Sequence, residues 1–382
     1  MVASSVRYSP GNDHVREQLG LLGELAGSWQ GTGFNLIARP DFEGHANFYL
    51  QLNQTDETYD VSPIGSPVPN RACGCDGVDL YGLTYLHKVR DLATGSALHI
   101  EPGMWMAQPQ ADYPPDEPPP HGEIVFRMAS IPHGTTLLAQ GAAVPYSGQA
   151  PVLESKDSPY AFSDYLSFNS TPITGVDPPA EAVINAAGSS EAGTSRSDHL
   201  KPFPQFDLSI PEGADNPRTP YDTTPPDPPL PSHIRDVPMQ DVVNDPITIL
   251  QSVVREQVAD GYTFEGAAIN VMSQKSVGFR NERNDPYGPY TSVSPPNTEG
   301  GLANTPFLRG GVPAGDVGPN AETALVYATL WVEKLTHPER PTLMQLQYAQ
   351  MCVLNFRLIL MPEQGIIGWP HISVATLTKS FG

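Results

Sequence analysis

Apolar residues recur at every second position in many short stretches of the chain, and this period predicts β-strands. In most of these stretches one face carries aliphatic or aromatic side chains and the other face carries polar groups. The stretches are 27–35, 47–54, 83–90, 97–102, 123–131, 135–142, 264–274, 324–335, 343–360 and 368–379. Short turns between neighbouring stretches, such as 91–95 with its terminal Gly95, favour antiparallel hairpins.

The longest stretch, 343–360, indicates how the strands close. One face carries Tyr348 and Cys352 among aliphatic residues, whereas Gln345 and Gln347 occupy the other face, which we expect to contact water. Long antiparallel strands with one apolar and one wet face close naturally into a barrel, because closure leaves no unpaired edge. The sequence therefore predicts a single mainly β domain over residues 1–382, an antiparallel β-barrel.

One helix is predicted to elaborate this barrel. Asp245 suits the N-cap, Pro246 the first helical position and Gly261 the end. The apolar stripe between them consists of Ile247, Leu250, Val254 and Val258. Such a stripe predicts a helix that lies across the sheet or plugs one end of the barrel. A shorter amphipathic helix is predicted at 14–26, immediately before the first strand.

Two stretches rich in proline and glycine, 171–238 and 280–320, are predicted to be long loop insertions. Their proline clusters can neither donate ladder hydrogen bonds nor continue a helix. Phe203 and Phe206 give the first insertion apolar anchors, so we expect an ordered excursion, with disorder as the competing interpretation. The second insertion has the length and composition of a lid.

The charge and composition limit the classes of partner. The chain has 21 Lys and Arg against 42 Asp and Glu, a formal net charge of −21. Nucleic-acid phosphates and anionic membrane surfaces would be repelled by this charge. No run approaches about 18 apolar residues, the first residues lack a signal-peptide core, and three cysteines cannot form a disulfide framework. We therefore expect a soluble cytoplasmic protein that binds neither nucleic acid nor membranes.

Histidines in the predicted strands are the first candidates for chemistry. His87 has apolar neighbours at every second position, which predicts an inward ring, more often a hydrogen-bonded core residue than a ligand. His99 lies two residues from Glu101, where a polar ladder on the surface is favoured over an acid/base pair. Cys73 and Cys75 lack the spacing and the further ligands of a structural zinc site.

The stretch 368–379, GWPHISVATLTK, combines strand patterning with a chemically capable residue. Trp369 and His371 share one face, whereas Ile372 and Val374 share the other, because side chains alternate along a strand. If the first face lines a cavity, an imidazole and an indole occupy one wall. Core packing is the default role of the tryptophans, but Trp331 and Trp369 would equally suit a flat apolar ligand.

Two motifs, LAGSWQGTGFN at 25–35 and WPHISVATLTK at 369–379, resemble the two ends of nitrobindin, a member of the calycin group of β-barrels. The first is similar to its Leu-x-Gly-x-Trp-x-Gly-x-Gly opening, and the second to its carboxy-terminal Pro-His strand. The resemblance implies a calycin-like barrel that binds haem b, with His371 as the iron ligand. Trp369, Trp331 and His87 complete the candidate haem-binding residues, with His87 as the distal residue because of its inward parity. Peroxide or nitrogen-oxide redox activity would become available at an open sixth position of the iron.

Two other classes of function stay open. A haem-free barrel could enclose an apolar small molecule and carry it or isomerise it, with the two insertions as lids. A structural or interaction protein would instead have a packed barrel interior without a cavity. The sequence alone does not decide whether the protein is an enzyme.

Overall fold

The computed structural model describes residues 12–41, 46–70, 78–107, 123–131, 135–151, 153, 231–274, 301–304, 322–357 and 366–380. Within these ranges three α-helices form, at α1 (Asn12–Leu19), α2 (Met239–Asn244) and α3 (Ile247–Ala259), and a 3-10 helix spans Gly20–Leu25. None of these helices has the length and apolar character that crossing a bilayer requires.

Strands make up most of the described chain. They are β1 (Gly27–Asp41), β2 (Ala46–Pro63), β3 (Val68–Asn70), β4 (Val78–Asp91), β5 (Ala97–Ala107), β6 (Glu123–Ile131), β7 (Thr135–Ser147), β8 (His233–Ile234), β9 (Val237–Pro238), β10 (Thr263–Gln274), β11 (Gly301–Asn304), β12 (Glu322–Thr336), β13 (Leu343–Arg357) and β14 (Ile366–Ser380).

Ten of these strands form a closed antiparallel barrel, in the order β10, β12, β13, β14, β1, β2, β4, β5, β6 and β7. The pairing of β7 with β10 completes the ring. Among the additional strands, β3 pairs with β4, β11 pairs with β7, and β8 and β9 form a separate hairpin. The predicted mainly β barrel is confirmed.

The first and last barrel strands, β1 and β14, are neighbours, and glycine in β1 permits their close approach. A side chain at Gly31 would collide with the backbone of Thr376, and one at Gly33 would collide with the backbone of Val374. Glycine is the residue that such contacts require, because it has no Cβ. The glycine-spaced motif therefore belongs to a strand, as predicted, and not to a phosphate-binding loop.

The amino-terminal helical segment fills one end of the barrel. Leu19, Leu22 and Leu25 are fully buried and belong to the same apolar cluster as Trp29 and Trp105. The indole Nε1 of Trp29 also donates a hydrogen bond of 2.8 Å to the carbonyl of Leu25. The helix predicted at 14–26 is confirmed, divided between α1 and the 3-10 helix that follows it.

Helix α3 packs on the outside of the barrel, in contact with β14. It begins at Ile247 with Pro246 at the N-cap, one residue later than predicted, although the Asp245 side chain accepts a hydrogen bond of 3.3 Å from the Ile247 N–H. Gly261, just past its end, has φ of 90°. Leu250 and Val254 of the predicted stripe are buried, whereas Val258 is 52% exposed. The prediction for Val258 is wrong because the buried stripe ends one turn earlier.

The covered outer face differs from the wet face that the sequence predicts. Gln345 and Gln347 on β13 are 1% and 0% exposed. Gln257 on α3 donates a hydrogen bond of 2.6 Å to Gln345, and the Gln347 amide nitrogen lies 3.4 Å from the carbonyl of Leu250. The helix therefore converts an outward polar face into a second buried layer.

Two stretches predicted as loops contain short strands. Hairpin β8–β9 lies at the end of the insertion predicted at 171–238, and β11 lies within the one predicted at 280–320. Strands of two to four residues leave no periodic pattern in the sequence, since a period needs several repeats to be read. Apart from residues 231–238 and 301–304, both insertions lie outside the described residues.

Candidate functional site

The half of the barrel opposite the amino-terminal helices contains a cavity of about 330 Å³. Its lining comes from nearly every barrel strand: Asn35, Ile37, Tyr59, His87, Val89, Leu98, His99, Arg127, Ile131, Thr135, Thr323, Ala328, Leu330, Leu346, Tyr348, Gln350, Cys352, Leu354, His371 and Ser373. Aliphatic side chains dominate several strands of the wall, whereas histidine, arginine and tyrosine cluster on β2, β4, β5 and β6. The cavity wall is thus mixed, with aliphatic side chains around a cluster of strongly polar ones.

A carboxylate with three donors forms the first part of the polar cluster. Glu57 on β2 is 1% exposed, and its Oε1 accepts a hydrogen bond of 2.6 Å from the Thr55 hydroxyl. Its Oε2 accepts from the Tyr348 hydroxyl at 2.6 Å and lies 2.9 Å from His87 Nε2. Since an ionised carboxylate can only accept, Nε2 is the protonated nitrogen of the His87 ring in this arrangement.

A buried ion pair forms the second part. Arg127 on β6 and Glu101 on β5 are 5% and 0% exposed, and their closest atoms, Nη2 and Oε1, lie 2.6 Å apart. The remaining guanidinium donors reach the Tyr85 hydroxyl at 3.0 Å and the Gln350 side chain at 2.6 Å. Tyr85 in turn donates to Glu101. Because every partner is hydrogen-bonded, this pair meets the condition under which two charges can be buried.

Glu57, Glu101, Arg127 and the side chains that hydrogen-bond to them form what we call the polar layer. Its electrostatics follow from burial and pairing. Burial alone would raise the pKa of Glu101, but Arg127 and then His99 outweigh it and hold that pKa well below its usual value. Burial alone would lower the pKa of Arg127, whereas Glu101 raises it above its usual value. Burial is the main reason why the pKa of Tyr59 and that of Tyr85 are raised. The ion pair therefore stays charged, and these phenols stay protonated, across the physiological range.

Aromatic rings fix the position of His87. The ring centroids of Tyr59 and Tyr348 lie 5.2 Å and 5.6 Å from that of His87, both in edge-to-face arrangements, and the ring of His99 lies 6.4 Å away. Tyr59 is itself held, because the Trp105 indole donates a hydrogen bond of 2.6 Å to its hydroxyl oxygen. The imidazole therefore has a defined orientation at the cavity wall.

His371 lies on β14, which is separated from the β4 strand of His87 by β1 and β2. Its cross-strand neighbours are Ile37 on β1 and Cys352 on β13, which also line the cavity. Burial raises the pKa of the Cys352 thiol to about 12, so this sulfur stays protonated. Next along the same face, Ser373 donates a hydrogen bond to Asn35. His371 is thus half-buried and faces the cavity from a wall that has fewer charged groups than the wall of His87.

The structure brings together two of the four predicted haem-binding residues. His371 and His87 both line the cavity. Trp331 lies on the outward face of β12, between the inward residues Leu330 and Val332, and it is fully buried there. Trp369 lies on β14, but its side chain is outside the described residues. The cavity therefore joins the two histidines and leaves Trp331 on the far side of the barrel wall.

The neighbours of His371 on β14 show that both faces of this strand are covered. Ile372 and Val374 are 1% and 0% exposed, but they alternate with the cavity residues and lie on the outside, where α3 packs against β14. Their burial therefore does not turn His371 toward solvent. The inward ring predicted for His87 is confirmed, and of the two orientations left open for His371 the structure shows the one that faces the cavity.

His99 and Glu101 differ from the prediction of a surface ladder. Both face the barrel interior, Glu101 is 0% exposed, and His99 Nε2 lies 3.4 Å from Glu101 Oε2. Arg127 stabilises the buried carboxylate, and nothing in the local sequence around His99 identifies that distant partner. Among the other candidates, Cys73 and Cys75 lie outside the described residues.

A metal held by protein side chains alone has no site in the described part of the chain. No group of three or more histidine, cysteine, aspartate or glutamate residues there has a geometry that could bind an ion. Each cavity histidine near the polar layer already lies beside a carboxylate, His87 with Glu57 and His99 with Glu101.

The charged residues of the polar layer were not predicted from the sequence. Glu57 shares its strand face with Tyr59 and Val61, and Arg127 shares its face with Val125 and Ala129, all of which are buried. The available signal was a charged residue on a strand face whose other residues are apolar. Lys, Glu, Arg and Asp are rarely buried unless they are paired, so such a residue in an apolar register indicates a partner on another strand.

The comparisons with known proteins give one structural match. No protein family and no curated protein matches the chain. Among solved structures, the crystal structure of Rv2717c from M. tuberculosis matches with a TM-score of 0.33 at 11% sequence identity, covering 95% of this chain and 98% of that chain. Similarity at this level indicates nothing about the ligand or the activity of this protein.

Proposed function

We propose that the protein binds one small, neutral, largely apolar organic molecule inside the barrel. The observation that carries the proposal is the cavity itself, a largely apolar space with ordered polar side chains in part of its wall. Its volume of about 330 Å³ falls at the lower end of the ~300–1,000 Å³ range of small-molecule pockets. Such pockets are typically apolar with a few fixed polar groups that orient the ligand.

The polarity of the wall supports a neutral ligand. Glu101 is paired with Arg127, and Glu57 is held by three donors, one of which is His87. A charged ligand would need a countercharge that is not already engaged, and removing its charge from water would be costly. The apolar part of the cavity wall, with Ile37, Val89 and other aliphatic residues, suits a ring or a short hydrocarbon body.

Native mass spectrometry of freshly purified protein tests this proposal. We expect a bound small molecule that is released when the sample is denatured, at up to one equivalent per chain. Leu330→Trp should abolish the bound species because the larger side chain fills the cavity. Lys334→Trp, an exposed position on the same strand, is the matched control and should retain it. Equal occupancy in both variants would contradict a ligand inside the barrel.

Haem is the second candidate, favoured by the position of His371. The residues fit haem in two respects: His371 could serve as the iron ligand, and Ile37 and Leu354 give it an apolar flank. Bound haem would supply redox chemistry at the iron. His371 would hold the iron. The small volume favours a ligand smaller than a porphyrin, which is why we rank haem second.

The visible spectrum after expression with a haem supply tests the second candidate. A haem held by His371 predicts a Soret band that shifts or disappears in His371→Ala and persists in His337→Ala. His337 is the matched control, because it lies outside the cavity and contacts the Asp260 carbonyl. A protein without a Soret band, or a band unchanged in His371→Ala, would rule out this role for His371.

A further inference from the structure

Three tyrosines meet the polar layer, and their hydroxyl groups are not equivalent. The hydroxyl hydrogen of Tyr85 goes to Glu101, and that of Tyr348 goes to Glu57. The Tyr59 hydroxyl oxygen instead accepts a hydrogen bond from the Trp105 indole, which can only donate. The hydroxyl hydrogen of Tyr59 therefore has no acceptor among the described residues, and Tyr59 lines the cavity. Tyr59 is thus a hydroxyl donor held at the cavity wall, where a ligand could accept its hydrogen bond.

The neighbour of Tyr59 is an imidazole whose ring is held by a carboxylate. Tyr59 and His87 are directly opposite each other on β2 and β4, with ring centroids 5.2 Å apart. In the neutral imidazole, Glu57 accepts the Nε2–H of His87 at 2.9 Å and the lone pair lies on Nδ1. A histidine whose second nitrogen is held by a carboxylate is a common arrangement for a general base, because the carboxylate fixes the tautomer and stabilises the imidazolium that forms.

We propose that His87 and Tyr59 together catalyse proton transfer at the carbon next to a carbonyl group of the bound ligand. This inference rests on the proposed function, because the ligand must occupy the cavity. Nδ1 of His87 removes the proton, the carbon–hydrogen electron pair moves into the new carbon–carbon double bond, and the carbonyl oxygen gains the negative charge. The Tyr59 hydroxyl stabilises that oxygen by a hydrogen bond.

The reverse step returns the proton from the imidazolium, either to the same carbon or, in an unsaturated ligand, to a more distant carbon of the conjugated system. The first outcome exchanges a proton with solvent and the second shifts a double bond, so neither needs an oxidant or a reductant. The predicted substrates are neutral cyclic ketones with an acidic hydrogen next to the carbonyl. Glu57 is a positioning residue in this scheme, since it acts through His87.

Burial makes this arrangement effective. Glu57 and Tyr59 are 1% and 6% exposed, so bulk water competes little for the developing oxyanion or for the imidazolium. A hydrogen bond from a preorganised donor is worth more in such an environment than in water. Burial also raises the pKa of Tyr59, which keeps its hydroxyl proton in place as a donor.

Deuterium exchange of two probe ketones, cyclohexanone and 2-decalone, tests the inference. In D₂O, proton NMR follows the loss of the signals next to the carbonyl, and displacement of the neutral fluorescent dye 1-aminoanthracene follows binding in parallel. We expect the protein to accelerate exchange of a ketone that displaces the dye. His87→Gln and Tyr59→Phe should each lower the protein-dependent rate by about 100-fold, the scale of losing a general base or an oxyanion donor.

Matched controls separate this role from a loss of folding. His337→Gln and Tyr262→Phe make the same chemical changes outside the cavity, at residues that contact each other near the end of α3, and should leave exchange unchanged. Glu57→Gln should lower the maximal rate with little change in the ketone concentration that half-displaces the dye. Nitrogen-15 shifts should assign the Nε2–H tautomer to His87 in the wild type and a mixture of tautomers in Glu57→Gln.

The possible failures are distinguishable. Dye binding without ketone displacement, or displacement without accelerated exchange, would overturn the inference and leave the ligand-binding function standing. Exchange that persists in His87→Gln at the wild-type rate would also overturn it. A protein that binds neither the dye nor a copurifying molecule would overturn both the inference and the proposed function.

Discussion

The inside of the barrel and the layer beneath α3 each bury a carboxylate completely, with opposite consequences. Glu101 inside the barrel faces Arg127, and its pKa lies well below the usual value although burial opposes that shift. Glu333 on the outward face of β12 has neutral partners among the described residues, the Tyr146 hydroxyl at 2.9 Å and the Gln345 amide at 2.7 Å. Burial raises its pKa to about 7 despite these two hydrogen bonds.

The difference shows that hydrogen bonds alone do not keep a buried carboxylate charged. Two good donors leave the charge of Glu333 marginal at neutral pH, whereas an arginine makes the charge of Glu101 permanent. The interior is therefore a region of fixed charges around a cavity, which suits the orientation of a ligand. The layer beneath α3 is a region of neutral hydrogen bonds, which suits the attachment of a helix.

Removing the countercharge inside the barrel is expected to have the largest effect. Arg127→Met would leave the buried Glu101 carboxylate without its arginine countercharge, and such a loss typically costs about 3–5 kcal/mol. Chemical denaturation should show this drop in the free energy of unfolding. Arg90→Met, which breaks the exposed pair with Asp56, is the control and should cost less than about 1 kcal/mol. Similar losses in both variants would contradict a larger contribution to stability from the buried Glu101–Arg127 pair than from the exposed pair.

Raising the pH should change the stability contributions of Glu333 and Glu101 in opposite directions. Because the folded pKa of Glu333 is raised, its contribution to stability is fully present below about pH 4.5 and is lost as the pH rises through about 7. Glu333→Gln should therefore be more stable than the wild type above pH 7, by an amount on the order of 3 kcal/mol, and should gain nothing near pH 4.5. A gain of equal size at both pH values would contradict this cause.

The opposite dependence is expected for Glu101. Its folded pKa is depressed, so its contribution is present above about pH 4.5, the ordinary value, and is lost as the pH falls toward the lower folded value. Glu101→Gln should flatten the acid side of the stability profile, measured by thermal melting from pH 3 to pH 6. Glu265→Gln, in an exposed contact with Lys334, should keep the wild-type profile. An unchanged acid limb in Glu101→Gln would show that other groups dominate acid unfolding.

The smallest effect should come from the helix contact. Gln257→Ala on α3 removes the hydrogen bonds to Gln345, and we expect a loss of about 1 kcal/mol in the free energy of unfolding. Glu256→Ala, an exposed neighbour on the same helix, should change stability by less than about 0.5 kcal/mol. If the two variants behave alike, the polar contacts beneath α3 do not hold the helix in place.

The strand pattern explains why much of the fold was predictable. Alternation predicted an inward face for His87 and put His371 on the face opposite to Ile372 and Val374, and the closing strand was recognised from the same period. The capping signals of Asp245 and Gly261 likewise located α3. These features are local, since each depends on residues within one element.

The buried polar layers could not be predicted because their partners are distant in the sequence. Arg127 and Gln350 are 223 residues apart, and Tyr348 and Glu57 are 291 residues apart. The polar outer face of β13 was predicted to contact water for a similar reason. It is covered by α3, which lies in another part of the chain. Local patterns predict which face a residue occupies, but not what covers that face.

Binding of a neutral molecule in the cavity is the central claim, and a fluorescence titration with 1-aminoanthracene tests it most directly. The account predicts saturable binding at one site per chain, lost in Leu330→Trp and retained in Lys334→Trp, with little dependence on salt because the ligand is uncharged. Absent binding in the wild type, or equal binding in both variants, would contradict a ligand site inside the barrel.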